Sequence, residues 1–133
     1  MKLIADTTVV IHLWRHRNHP DRIAALRERL IGHEHFLPWM VLFEFAHGHF
    51  CKGRAEEEMW DFLVRFKMLP TTQSQVLRAA RIAASLQLKG LTPGTGDVWI
   101  AAAALDEGWP VLTANPSHFE CIEGVQVVRY SIA

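Results

Sequence analysis

The sequence is short of cysteine, of net charge and of long apolar runs. Its only cysteines, Cys51 and Cys121, lie seventy positions apart. That spacing forms neither a disulfide framework nor a zinc knuckle, so two ordinary thiols in a reducing cytoplasm are expected. No apolar run approaches the roughly 18 residues of a membrane span, and no membrane association is expected. The N-terminus, "MKLIADTTVVIHLW", carries one lysine and meets Asp6 too soon for the apolar stretch of a signal peptide. Fourteen Lys and Arg balance fourteen Asp and Glu. A dedicated nucleic-acid binder usually carries a basic excess, so global charge does not point to one. Repeats, low-complexity tracts and linkers are missing, and 133 residues suit one domain spanning 1–133.

Half of the residues are hydrophobic, enough for a core without staples. Charge is uneven locally: Arg15, Arg17, Arg22, Arg27 and Arg29 face only Asp21 and Glu28 between His12 and Arg29. "KLIAD", "HFLP", "KMLPT", "WPVLTAN" and "VQVVRY" read as short strands. Helices are expected over "TTVVIHLWRH", over "DRIAALRERLIG" with Ile23, Leu26, Leu30 and Ile31 on one face, and from Trp39 to about Phe50. Further helices are expected over "AEEEMWDFLVRF", from a Thr72 cap to about Lys89, and over "DVWIAAAALDE", closed by Gly108. "LTPGTG" reads as a loop and "PSHFECI" as a short helical turn. Alternating strands and helices predict an α/β fold with a mostly parallel sheet.

In such sheets ligands bind beyond the carboxyl ends of the strands. Asp6 ends the first strand, Asn115 the "PVLTA" strand, and Asp97 opens a helix on the same rim. Glu44 stands alone among the apolar residues of "FLPWMVLFEFA", where an isolated buried carboxylate would be costly. It lies early in a helix that follows a strand, so it can reach that rim too. Three carboxylates and an amide from four segments suit Mg²⁺ or Mn²⁺. Plainer roles exist: Asp97 as a helix cap, Asp6 as a turn residue bonded to the amides of Thr7 and Thr8, Glu44 as a partner of His47, Asn115 as a shaper of the turn before Pro116.

"LIADTTVVI", "VLFEFAHG", "GTGDVWIAAAAL" and "VLTANPSHF" together resemble, in order and along the whole chain, the four motifs of PIN-domain ribonucleases of the small VapC toxin type. The resemblance implies a central five-stranded sheet of order 3-2-1-4-5 flanked by helices. It implies Asp6, Glu44 and Asp97 as ligands of Mg²⁺ or Mn²⁺, with Asn115 beside them as a catalytic residue. It also implies hydrolysis of RNA, a homodimer and a small antitoxin partner. Many family members carry a fourth acid near position 115; here Asn115 or His118 stands in its place, which weakens the case for a second ion.

Three other readings bear on the same residues. The pairs His33/His35 and His47/His49 raise a zinc site, although i and i+2 diverge on a helix. A receiver domain would need an acidic pair on the first strand, which "LIAD" lacks. A catalytically weak module acting through dimerisation or an antitoxin would use Trp39, Phe43, Phe45, Phe50, Trp60, Phe62 and Phe66 as an interface rather than as core.

Overall fold

The computed structural model describes residues 1–92 and 94–133. Five parallel strands form one sheet in the order β3-β2-β1-β4-β5, as expected. They are β1 (Lys2–Ala5), β2 (Glu34–Pro38), β3 (Lys67–Leu69), β4 (Val111–Thr113) and β5 (Val127–Arg129). Helices cover both faces of the central strands, so their apolar residues are buried: Leu3, Ile4, Ala5, Val111 and Leu112 are almost wholly inaccessible. The edge strands β3 and β5 are only half-buried.

Among the described residues six α-helices connect the strands: α1 (Thr7–Arg15), α2 (Ala24–Leu30), α3 (Trp39–Cys51), α4 (Glu56–Leu63), α5 (Gln73–Leu88) and α6 (Thr95–Glu107). Thr72 caps α5 by accepting from the Gln75 amide at 3.1 Å. Gly108 closes α6 at φ 75°, a conformation that glycine adopts without strain. Alanines 101–104 of α6 are buried; small side chains let the helix sit close to both the sheet and α5.

Several expectations need correction. The second helix begins as a 3-10 turn at Pro20–Ile23 and ends at Leu30, so Ile31 takes an extended conformation and is 75% exposed. β4 ends at Thr113, which leaves Asn115 two residues beyond it at the start of a 3-10 turn, Pro116–Phe119. The loop expected over 91–96 is shorter, because Thr95 and Gly96 already belong to α6; Pro93 lies outside the described residues. The aromatic stretch divides: Phe45, Phe62 and Phe66 are core, whereas Trp39, Phe43, Phe50 and Trp60 are exposed. Both cysteines are free and exposed. Among the described residues no helix is long and apolar enough to cross a membrane.

Candidate active site

The register Ile4 to Val111 and Ala5 to Leu112 sets the carboxyl ends of β1 and β4 side by side. Asp6 follows β1 directly and caps α1, its carboxylate accepting from the Val9 amide at 3.3 Å and from the Thr8 hydroxyl. Burial raises its pKa above the usual value, against hydrogen bonds from Thr113, Thr8 and Val9 that favour the charged form. Asp97 is the third residue of α6. Gly94 takes the cap position, so Asp97 is not the helix cap that its place in the sequence suggested. Its pKa is also raised by burial, partly offset by His118, whose Nδ1 lies 3.5 Å from Oδ2.

Glu44 is exposed and occurs midway along α3. Its Oε1 accepts from the Thr7 hydroxyl at 2.9 Å. It also lies against Gly96, where an added Cβ would stand 2.7 Å from Oε1. Glu44 is therefore clamped between the neighbours of Asp6 and Asp97. Its suggested pairing with His47 is not made; among the described residues no cation pairs with Glu44 or Asp6. The Asn115 amide group forms no cap bond, while its backbone N–H donates to Thr113 Oγ1 at 2.9 Å.

A model of the PIN domain family matches residues 3–122. The chain belongs to that family. A curated relative, Ribonuclease VapC1 of Rickettsia felis, is 38% identical over 66 residues, which is 50% of this chain and 49% of the relative. The chain thus matches about half the length of that protein. Among solved structures, VapBC2 of Rickettsia felis bound to a DNA fragment from its promoter superposes with a TM-score of 0.80 at 21% identity, over 98% of this chain and 100% of the other. VapBC-1 of nontypeable Haemophilus influenzae gives 0.80 at 24% identity, over 97% and 98% of the two chains. These likenesses establish the fold.

Within this PIN domain the sequence alone did not reveal what holds the acids in place. Thr8 Oγ1 donates to Asp6, accepts from the Ala114 amide at 3.3 Å and accepts from Tyr130 Oη at 3.4 Å. Since Thr8 has one proton and gives it to Asp6, Tyr130 must donate to Thr8. His12 Nδ1, 2.8 Å from Tyr130 Oη, is then the protonated nitrogen of a neutral ring. Burial, reinforced by Arg15 and His16, lowers the His12 pKa, in keeping with that neutral form. A directed chain thus runs His12, Tyr130, Thr8, Asp6. No short-range pattern announces it, because Tyr130 is 122 positions from Thr8.

In each histidine pair one ring is bonded to the backbone. His35 Nε2 bonds the Leu30 carbonyl at 2.8 Å, and buried His49 bonds the Ala55 carbonyl at 2.9 Å, while His47 is exposed. Among the described residues no three His, Cys, Asp or Glu side chains stand close enough together to grip one ion. Asp6 and Glu44 each accept from their own donors, and Asp97 faces His118. The donor set nevertheless fits a hard divalent cation. Two of its carboxylates are desolvated, and the glycine at 96 leaves room for the third.

Proposed function

We propose that this PIN domain is a metal-dependent endoribonuclease, a toxin that hydrolyses RNA phosphodiester bonds in the cytoplasm. One observation carries the reading: Glu44 is held between Thr7 and Gly96, so α3 delivers its single acid to the rim where Asp6 and Asp97 start their helices. The likeness to a protein named as a ribonuclease supports RNA as the substrate class. Asp6, Glu44 and Asp97 would hold Mg²⁺ or Mn²⁺. Bound there, such an ion supplies charge to phosphoryl oxygens and lowers the pKa of a water ligand.

The chain's own groups do the positioning. Thr8, Thr113 and the Val9 amide orient the Asp6 carboxylate. Thr7 orients Glu44. His118 can hold a proton at Nδ1 facing Asp97 Oδ2. Asn115 offers a neutral amide on the same rim and adds no fourth negative charge.

A small antitoxin protein and a second copy of the chain are the partners proposed. Support comes from the exposed Trp39, Phe43, Phe50 and Trp60 and from a toxin–antitoxin complex of Klebsiella pneumoniae that shares the fold. The alternative, a binding module without chemistry, draws on the absence of a closed three-ligand site among the described residues. Incubation with labelled RNA separates the two. Cleavage with Mn²⁺ that stops in EDTA and in Asp97→Asn, with the circular dichroism spectrum unchanged, supports the enzyme. Cleavage indifferent to both, or none under any condition, overturns it.

A further inference from the structure

Glu44 lines a groove between α1 and α3 in which the other charged residues are cations. Ile11, Trp14 and Phe45 form its floor within a space of about 380 Å³. Arg15, Arg17, Lys52 and Arg54 line it, and Glu44 is the one acid among the lining residues. In a chain of zero net charge this is a pronounced local asymmetry.

Two of the cations are held in place before any ligand arrives. The Arg17 guanidinium stacks on Trp14, 3.9 Å from the ring centroid, and its Nη1 donates to the Trp14 carbonyl at 2.7 Å. The Arg54 guanidinium lies 5.0 Å from the same ring, and Glu58 steadies it at 3.6 Å. The Trp14 ring packs nearly at right angles against Phe45, His49 and Phe62, which anchors the platform in the core. Stacked guanidiniums lose little side-chain freedom on binding, and their fork geometry suits phosphate oxygens. Gly48 leaves the middle of the groove open, since a Cβ there would meet nothing within 4 Å.

We infer that this groove is the track for the RNA strand leaving the cleavage site, with Arg17 and Arg54 as phosphate-binding residues. The inference rests on the ribonuclease reading, because the groove shares Glu44 with the proposed active site. A strand cut at the carboxylates must continue past them on at least one side. The α1–α3 groove is continuous with Glu44 and carries the charge that complements a polyanion. Trp14 serves as a platform for guanidiniums rather than for a base.

The test measures binding of a fluorescein-labelled single-stranded RNA oligonucleotide to full-length Asp97→Asn protein by anisotropy across a salt series. Each phosphate contact on single strands contributes about 0.7 to the slope of log K against log salt. Arg17→Ala with Arg54→Ala should therefore flatten the slope by about 1.4 and weaken binding roughly tenfold or more near 0.1 M salt. Arg17→Lys with Arg54→Lys should keep most of the slope, and Arg81→Ala, on the α5 surface, should change nothing. Because the Ala pair uncovers Trp14, Gly48→Glu and Gly48→Gln give a second comparison on an intact platform. The Glu variant should bind RNA more weakly than its isosteric Gln counterpart. In cleavage assays on the Asp97 background the Ala pair should raise KM far more than it lowers kcat. Unchanged affinity and slope in the Ala pair, with Gly48→Glu equal to Gly48→Gln, would overturn the groove while leaving the nuclease reading intact. Wild-type protein that neither binds nor cuts RNA overturns both. If the same variants release a labelled poly-glutamate peptide yet hold RNA normally, the groove docks protein and the proposal fails.

Discussion

At the scale of single residues, the site depends on a missing methyl group and on an unfavourably buried charge. A Cβ on Gly96 would stand 2.7 Å from Glu44 Oε1 and 3.2 Å from Cδ. The clash falls on the far end of a flexible side chain, so turning the carboxylate away relieves it. Alanine is favoured over glycine within a helix by about 1 kcal/mol. Gly96→Ala should therefore keep or slightly raise the melting temperature while lowering RNA cleavage on the order of 10- to 100-fold, the usual consequence of a displaced catalytic group. Wild-type cleavage by this variant would detach the position of Glu44 from the chemistry. Asp6 shows the opposite balance. Its folded pKa lies above the ordinary 3.8, chiefly through burial, so the native state holds that proton to higher pH than the unfolded chain does. Stability then falls as pH rises through the raised value. In EDTA, Asp6→Asn should melt higher than wild type at pH 7, and the difference should vanish near pH 4. A lower melting temperature at pH 7 would mean that the hydrogen bonds from Thr8, Thr113 and Val9 outweigh desolvation.

At the scale of elements, local signals were legible where they act within one turn. The Thr72 cap of α5 is such a signal, and Thr72→Ala should destabilise the protein by about 1 kcal/mol, measurable by urea denaturation. A loss near zero would show that packing against α6 alone fixes the start of α5. The alternation of short apolar strands with helices likewise foretold the parallel sheet. Reading failed where an element ended earlier or began sooner than its pattern. The periodicity through Ile31 outlasts α2, because the chain turns extended there. Asp97 looks like a cap until α6 is seen to start at Thr95, which leaves Gly94 in that role. The clamp on Glu44 joins residues 37 positions apart in the case of Thr7, and only tertiary register creates it. Nothing in a glycine-rich loop pattern says that Gly96 is there to admit a carboxylate from another helix.

At the scale of the whole molecule, zero net charge conceals a separation along one groove. Three carboxylates lie at the rim of β1 and β4, and four cations line the adjoining space between α1 and α3. A divalent ion held by Asp6, Glu44 and Asp97 in the folded chain and not in the unfolded one would stabilise the fold. By mass action the gain is about 2.7 kcal/mol at an ion concentration one hundred times Kd. Protons compete for the same oxygens, and burial lets Asp6 and Asp97 hold protons to higher pH than usual. The rise in melting temperature with Mn²⁺ should therefore be full above the raised pKa values and shrink as pH falls through them. Asp97→Asn should abolish the rise at every pH. Asn115→Asp should enlarge it, because a fourth negative charge on the rim strengthens the grip on the ion. Scanning calorimetry with and without Mn²⁺ at two pH values measures all three responses. An Mn²⁺ effect of the same size in wild type, Asp97→Asn and Asn115→Asp would place the ion elsewhere on the molecule and remove the metal from the proposed chemistry.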